Sequence, residues 1–215
     1  MAITFYYGSG SPFAWKVWLV LEHKGLTYDF KRLQFDKTEL KSDAFLAINP
    51  RGKVPALVDG DLALYESAAI VEYLEERYPE PTILGTDLET RARTRRIAVE
   101  AEAYLQPLQR ELFTHTLFKS ASDARDLEAI ARCHNALLAE LAHFERALGE
   151  GRYFGGLTPS LADFAVFPVL RGVRRVDDRE PANGLGDAMP AWVRAYLARM
   201  ESLAMVQKTW PPHWR

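Results

Sequence analysis

Cysteine is nearly absent from this sequence. Cys133 is the single cysteine among 215 residues, so an intramolecular disulfide, and with it a disulfide-stapled secreted scaffold, is excluded. A structural zinc site built from several thiolates is excluded in the same way, and we predict no metal site. The near absence of cysteine instead indicates a reducing compartment, and we therefore expect a cytoplasmic protein.

A strong charge excess and a long apolar run are also missing. Lys plus Arg number 27 and Asp plus Glu 29, for a formal net charge of −2, whereas nucleic-acid-binding domains carry a basic excess. The longest apolar run, residues 164–170, is far shorter than the ~18 residues that a membrane span needs. Lys16 interrupts the apolar N-terminus and no positive residue precedes it, so no secretory signal is expected. Neither nucleic acid nor a membrane is therefore an expected partner.

The composition is that of a folded protein. The first part of the chain is predicted to alternate strands with helices. Hydrophobic residues make up 48% of the chain and charged residues 26%, which is typical of globular domains. The β-branched and aromatic run at 2–7 predicts a strand. Ser11-Pro12 then predicts the start of a helix that Gly25 ends, and a second strand is predicted at 27–35. This order predicts a parallel strand pair with a right-handed crossover.

The next segment completes a small α/β unit. Asp59-Gly60 between two apolar runs is a strong hairpin signal. Ser67 is expected to cap the helix that follows the hairpin. The expected order of elements is therefore βαβαββα. The remaining predicted elements are a short helix at 42–48, strands at 54–58 and 62–65, and a helix at 68–78.

The character of the chain changes near residues 80–86, which we interpret as a linker because proline and glycine punctuate it. Beyond the linker the chain is rich in Ala, Leu, Glu and Arg, which favour helices. We predict an α/β domain at 1–79 and an all-helical domain at 87–215. Pro107 is expected to kink the first long helix. The helices are predicted at 87–118, 124–148, 160–172 and 190–202.

Ser11 is the first candidate for chemistry. By itself it is most simply a helix N-cap. A helix N-terminus, however, also offers unpaired N–H groups and a partial positive charge, which favour a bound anion such as a thiolate. The hydroxyl could then donate a hydrogen bond to that anion. Ser9, two residues earlier, offers a similar hydroxyl.

Two further positions could hold a peptide-like ligand. Pro55 opens a predicted strand and implies a turn, a sheet edge or a cis bond. A cis bond would leave the backbone of Val54 available to pair with a peptide-like ligand. Ser67, besides its capping role, could hold a carboxylate at a helix N-terminus, while Glu66 could hold an ammonium group. Together these two would suit the α-amino acid end of a ligand.

In combination, these motifs resemble those of the glutathione S-transferases, and the resemblance covers essentially the whole chain. The first domain is similar to the thioredoxin-like domain of that family, and the helical remainder is similar to its all-α domain. Within the family the chain is most similar to serine-type members, of the theta, zeta, delta or a related bacterial-type class. The motifs are Ser11 after the first strand, Asn49-Pro50-x-Gly52-x-Val54-Pro55-x-Leu57, Tyr65-Glu66-Ser67-x-Ala69-Ile70-x-x-Tyr73-Leu74, and Ser160-Leu161-Ala162-Asp163.

The resemblance implies a role for each matching residue. Ser11, with Ser9 as the alternative, would stabilise the thiolate of glutathione. Val54 would pair with the cysteinyl residue of glutathione and Pro55 would be cis. Other residues are assigned to the two ends of the ligand. Glu66 and Ser67 would bind the γ-glutamyl end, and Lys53, with Lys41 as a further candidate, would bind the glycyl carboxylate.

The resemblance also implies the reaction. The expected enzyme is a cytoplasmic, homodimeric glutathione transferase that adds glutathione to small, largely apolar electrophiles, with detoxification as its role and no cofactor beyond glutathione. The alternative is a non-catalytic binding or regulatory protein on the same fold. The helical domain is expected to supply the electrophile site and the dimer interface. Candidates for the electrophile site are Phe13, Tyr104, Leu108 and His115.

Three departures from family patterns narrow this expectation. No cysteine follows the first strand, so the disulfide and dehydroascorbate reductions of cysteine-type members are not expected. Tyr6 and Tyr7 lie on the predicted strand, where their phenols more simply pack. The Ser-Ser-Cys element of zeta-type isomerases is also missing, and its absence counts against maleylacetoacetate isomerase activity.

Overall fold

The computed structural model describes residues 3–35, 38–120, 123–180 and 185–214. The chain divides into two compact units. The first comprises Met1–Ile83 with Leu203–Arg215, and the second comprises Leu84–Ser202. No helix in the described ranges is both long and apolar enough to cross a membrane.

The first unit contains a mixed four-stranded sheet in the order β2-β1-β3-β4. β1 pairs in parallel with β2, as the strand–helix–strand order predicted, and antiparallel with β3. β3 and β4 form the hairpin that Asp59-Gly60 predicted. The thioredoxin-like architecture is therefore confirmed. The strands are β1 (Ile3–Gly8), β2 (Tyr28–Leu33), β3 (Ala56–Asp59) and β4 (Leu62–Tyr65).

Three helices accompany this sheet, and each begins close to its predicted position. Pro12 opens α1 directly after the N-cap Ser11, and Gly25, at φ 62°, follows its C-terminus as predicted. Ser42 caps the second helix, accepting from the amide of Phe45 at 3.3 Å. The predicted capping role of Ser67 is wrong by one position, because Glu66 is the N-cap and Ser67 the first helical residue. The helices are α1 (Pro12–His23), α2 (Asp43–Leu46) and α3 (Ser67–Arg77).

A buried ion pair joins α1 to α3. The Lys24 ammonium, fully buried, donates to Glu75 Oε2 at 2.7 Å. Lys24 also donates to the carbonyls of Tyr78 and Pro81, at 2.6 and 3.0 Å. Glu75 accepts from the Ile83 amide at 3.1 Å. Both charges are therefore surrounded by hydrogen bonds, which is the arrangement that makes burial of an ion pair tolerable.

The last residues of the chain group with this unit, although the sequence assigned them to the helical domain. Trp15 Nε1 donates to Thr209 Oγ1 at 2.9 Å. The Trp15 ring packs edge-on against Trp210 and Trp214, with centroids 5.7 and 5.5 Å away. Lys208 forms an ion pair with Glu22 at 2.7 Å. The physical reason for the grouping is this aromatic burial on α1. The segment contains α10 (Ala204–Lys208) and a 3₁₀ turn (Pro212–Trp214).

The second unit is helical, as predicted. Its first long helix is interrupted by a π-helical segment (Ala101–Leu105) immediately before Pro107. Such a segment accommodates a proline that cannot donate to the preceding turn, and the kink expected at Pro107 stays a prediction. The helices are α4 (Leu88–Glu100), α5 (Gln106–His115), α6 (Leu127–Leu148), α7 (Leu161–Arg179), α8 (Leu185–Ala188) and α9 (Ala191–Glu201).

Asp163 organises the start of α7. Ser160 and Asp163 form a capping box. The fully buried Asp163 carboxylate accepts from the amides of Phe154, Gly155 and Ser160, at 2.9, 3.2 and 2.8 Å. Burial raises the pKa of Asp163, and these hydrogen bonds oppose the rise. The motif read from the sequence is thus a real N-terminal cap that also fixes the preceding loop.

Candidate active site

Three strand ends and two helix starts meet at one edge of the sheet. Tyr6 of β1 lies opposite Ala56 of β3, and Ala56 lies opposite Tyr65 of β4. The carboxyl ends of β1 and β4 therefore lie beside the amino end of β3. The segments that follow or precede those ends carry the motifs identified in the sequence. These segments are 8–11, 53–55 and 66–67.

Close contacts bring the flanking loops to this edge. A Cβ on Gly8 would lie 2.7 Å from Cγ2 of Val54, so only glycine permits this approach. A Cβ on Gly52 would lie 2.8 Å from the carbonyl oxygen of Leu40, and Gly52 also has a φ of 59°. Lys41, the next residue after Leu40, is consequently brought near the loop that carries Lys53. Both lysines are exposed.

Ser11 is the N-cap of α1, as the sequence predicted. Its Oγ accepts from the Ala14 amide at 3.2 Å, and its own amide donates to the Gly8 carbonyl at 3.1 Å. The side chain is partly exposed. In the capping contact the hydroxyl is the acceptor, so its proton can still be donated to a ligand. The residue thus combines a donor with the positive end of a helix.

Ser9 is held by the C-terminal segment. Its Oγ lies 2.5 Å from Nδ1 of His213, and Trp214 Nε1 donates to Nε2 of the same histidine at 2.9 Å. An indole nitrogen can only donate, so Nε2 must be the unprotonated nitrogen of a neutral ring. Nδ1 then carries the proton and donates to Ser9 Oγ. The sequence did not indicate His213, because it lies 204 residues away.

The peptide bond between Val54 and Pro55 is cis, which confirms that expectation. Asn49, which is buried, stabilises the loop before it. Its Nδ2 donates to the carbonyl of Lys53 at 2.6 Å, and its Oδ1 accepts from the Arg51 amide at 3.0 Å. Asn49 belongs to the quoted motif, but its supporting role emerges only from these contacts.

Glu66 has the backbone conformation that most needs explanation. Its φ of 68° is the one positive value among the non-glycine residues described. A non-glycine residue there is strained by about 1–3 kcal/mol, and such strain clusters at ligand clamps. The carboxylate is exposed and lies 3.7 Å from Arg51 Nε. Ser67, the next residue, is buried at the N-terminus of α3.

The two tyrosines of β1 pack, as expected. Tyr6 contacts Phe45, with centroids 5.7 Å apart. Tyr7 is fully buried against Trp18 and Phe30, at 4.8 and 5.3 Å. Burial raises the pKa of the Tyr7 phenol, against a smaller opposing effect of Ser9. A buried phenol with a raised pKa is poorly suited to stabilising a thiolate.

The electrophile-site candidates belong to both units. Phe13 lies in the first turn of α1 and is half-buried. In the helical unit, Tyr104 is exposed on the π-helical segment. Leu108 and His115 lie on α5 and are half-buried. Their role in binding an electrophile stays a prediction.

Comparison with known protein families matches both parts of the chain. Residues 5–82 match the glutathione S-transferase N-terminal domain. Residues 128–199 match the glutathione S-transferase C-terminal domain. The two matches agree with the thioredoxin-like unit and the helical unit described above.

Individual relatives agree with these matches. Maleylacetoacetate isomerase of Pseudomonas aeruginosa is 34% identical over 208 residues, covering 95% of this chain and 91% of that protein. Glutathione S-transferase 1 of Dianthus caryophyllus is 34% identical over 168 residues, covering 77% of this chain and 74% of its own. A glutathione S-transferase crystal structure from the Antarctic clam Laternula elliptica has a TM-score of 0.82 and 32% identity, covering 100% and 94% of the two chains. These likenesses support the predicted transferase enzyme, and the chain belongs to the glutathione S-transferase family.

Proposed function

We propose that the edge formed by segments 8–11, 53–55 and 66–67 binds glutathione and that Ser11 stabilises its thiolate. A free thiol has a pKa of about 8.5 and is only a few per cent ionised at neutral pH. The hydroxyl of Ser11 and the N-terminus of α1 both favour the anion. The observation that carries the proposal is the convergence at this edge of a serine-capped helix, a cis Val54–Pro55 bond and the strained Glu66.

Each part of glutathione has a matching group. The Val54 backbone would pair with the cysteinyl residue, because a strand entered through a cis proline can present its N–H and C=O to an extended ligand. The γ-glutamyl carboxylate would bind at the N-terminus of α3 through Ser67, and its ammonium would bind Glu66. The exposed ammonium of Lys53, with Lys41 beside it, would bind the glycyl carboxylate. The backbone strain at Glu66 supports this assignment, since such strain clusters at ligand clamps.

Ser9 is the alternative donor for the thiolate. His213 donates to it, but it lacks the direct link to the helix N-terminus that Ser11 has. We therefore assign the main role to Ser11. Ser9 would be a second donor that the C-terminal segment orients.

The reaction is proposed to be addition of the thiolate to a small, largely apolar electrophile. Phe13, Tyr104, Leu108 and His115 are the proposed contacts of that substrate. The protein is proposed to be a cytoplasmic homodimer that acts in detoxification and needs no cofactor beyond glutathione. The experiment is turnover with glutathione and a panel of aryl halides, epoxides and peroxides, compared with Ser11→Ala. Absence of turnover with every electrophile, in protein that binds glutathione, would contradict the transferase proposal.

A second candidate reaction is cis–trans isomerisation of a maleyl compound through a transient glutathione adduct. The 34% identity to maleylacetoacetate isomerase over almost the whole chain favours it. The missing Ser-Ser-Cys element at Ser9–Ser11 speaks against it. Assays of maleylacetoacetate and maleylpyruvate with catalytic glutathione distinguish the two reactions, because isomerisation returns the glutathione that conjugation consumes.

A further inference from the structure

Three metal-ligating side chains from different parts of the sequence meet between α5 and α6. Glu111 and His115 are four residues apart on α5 and so share one face of that helix. Cys133 lies on α6, which packs against α5 within the helical unit. One ligand atom of each side chain lies within 4.8 Å of the other two.

The three side chains differ in exposure in a way that suits an accessible metal site. Cys133 is buried, with 2% of its surface exposed, His115 is half-buried and Glu111 is exposed. The thiol therefore forms the floor of the cluster and the carboxylate its rim. A metal ion could enter from solvent at Glu111, and the same side would leave room for a water ligand.

We propose that Glu111, His115 and Cys133 bind one divalent transition-metal ion of the Zn²⁺ type. Sulfur, imidazole nitrogen and carboxylate oxygen are the donor set that such ions accept, and three protein ligands with one water is a usual tetrahedral arrangement. At Zn–S and Zn–N distances of about 2.3 and 2.0 Å, tetrahedral ligand atoms lie about 3.3–3.7 Å apart. The present separations are at most 4.8 Å, so they need to close by no more than about 1.5 Å, which rotation of the exposed Glu111 and the half-buried His115 can provide.

Metal binding requires the Cys133 thiol to lose its proton. Burial raises the pKa of the Cys133 thiol, and the neighbouring Glu111 carboxylate raises it further. The thiol is consequently protonated in the metal-free protein. On binding, the S–H bond breaks, its proton passes to the solvent buffer, and the sulfur lone pair forms the bond to the metal.

The cluster is separate from the proposed glutathione site, although His115 is also a proposed contact of the electrophile, so metal binding is tested by Co²⁺ absorption and not by turnover. Segments 8–11, 53–55 and 66–67 belong to the first unit, whereas all three proposed ligands belong to the second. The sequence predicted no metal site, because one cysteine cannot form a site of several thiolates and the proposed ligands are scattered along the chain. Their proximity depends on how α5 and α6 pack.

The test is a titration of the untagged full-length protein with Co²⁺, followed by displacement with Zn²⁺. We expect one Co²⁺ per chain, a thiolate-to-cobalt charge-transfer absorption in the near ultraviolet, and loss of both with one equivalent of Zn²⁺. Cys133→Ser should abolish the charge-transfer absorption. His115→Asn and Glu111→Gln should each weaken binding by about tenfold or more.

The control is His143→Asn, since His143 is exposed on α6 and lies outside the cluster. It should leave Co²⁺ affinity and the charge-transfer absorption unchanged. The Glu111 and His115 variants alter accessible side chains, and far-ultraviolet circular dichroism checks that each folds. Absence of the charge-transfer absorption in the wild-type protein would overturn the proposal. The cluster would then be only a hydrogen bond between the Cys133 thiol and the Glu111 carboxylate. The proposal would also be overturned if the charge-transfer absorption persisted in Cys133→Ser, or if Co²⁺ affinity were unchanged in both Glu111→Gln and His115→Asn.

Discussion

Ser11→Ala should raise the pKa of enzyme-bound glutathione without unfolding the protein. A hydrogen bond to a charged partner contributes about 1.5–3 kcal/mol. Because one pKa unit corresponds to about 1.4 kcal/mol, loss of the Ser11 hydroxyl should raise the thiol pKa by about 1–2 units. The N-terminus of α1 remains and should keep a smaller part of the stabilisation, about 0.3–1 kcal/mol.

The same substitution also removes a helix cap, and the two effects can be separated. Ser11 Oγ accepts from the Ala14 amide at 3.2 Å, so Ser11→Ala should lower the free energy of unfolding by about 1 kcal/mol. Ser11→Gly lacks the hydroxyl but is a tolerated cap, so it should lose only a few tenths of a kcal/mol. Both variants should show the same shift in thiol pKa, since neither can donate to the thiolate.

The assay is the ultraviolet absorbance of the glutathione thiolate in its complex with each variant, followed as a function of pH. Ser42→Ala is the matched control, because Ser42 caps α2 through Phe45 in the same way but belongs to no segment of the proposed site. It should lose cap stability and leave the thiol pKa unchanged. An unchanged thiol pKa in both Ser11 variants would refute the reasoning, and a shift seen only in Ser9→Ala would transfer the role to Ser9.

Four further predictions concern the ligand and the two buried carboxylates. Glu66→Ala should weaken glutathione binding by about 1.5–3 kcal/mol if the carboxylate holds the ammonium group; calorimetry measures this, and unchanged affinity would contradict the γ-glutamyl assignment. Lys24→Met should lower the free energy of unfolding by about 3–5 kcal/mol, because it leaves the buried charge of Glu75 without its partner. Urea titrations measure this loss, and the double variant Lys24→Met/Glu75→Leu should recover much of it. No recovery in the double variant would contradict the argument. Burial alone raises the pKa of Glu75, but the hydrogen bonds from Lys24, Thr82 and Ile83 outweigh burial and lower it. A lowered pKa means that the stabilisation is present above the unfolded-state value near 4.5 and is lost as the pH falls through the lower folded-state value. Glu75→Gln should therefore make the free energy of unfolding fall less steeply as the pH is lowered. The same fall in the wild-type protein and in the variant would refute this assignment. Asp163→Asn should destabilise the helical unit by about 2–5 kcal/mol, because an amide cannot accept from the three backbone amides and the Ser160 hydroxyl as a carboxylate does; thermal unfolding of Asp163→Asn tests this, with unchanged stability as the contradicting result.

Local chemistry made much of the first unit predictable. The Asp59-Gly60 hairpin, the start of α1 at Ser11-Pro12 and its end at Gly25 all depend on residues close together in sequence, and each was found. The motif Ser160-Leu161-Ala162-Asp163, quoted from the sequence for the family resemblance, forms a capping box in the structure. Ser67 was misplaced by one residue because the strained φ of Glu66 is not a conformation that sequence preferences suggest.

Features that join distant segments were not predictable. The ion pair of Lys24 with Glu75 and the contact of Ser9 with His213 link residues 51 and 204 positions apart. The grouping of the C-terminal segment with the first unit depends on the packing of Trp210 and Trp214 against Trp15.

The sequence by itself determined most elements of the first unit, the family and the candidates for the active site, because these follow from short motifs with local physical causes. Only the tertiary structure decided which of those residues share one edge of the sheet, which partner holds Ser9, and which donors surround Cys133. Those arrangements depend on register and on helix packing. A register or a packing contact is chosen by the burial of many side chains together, and no single stretch of sequence carries that information.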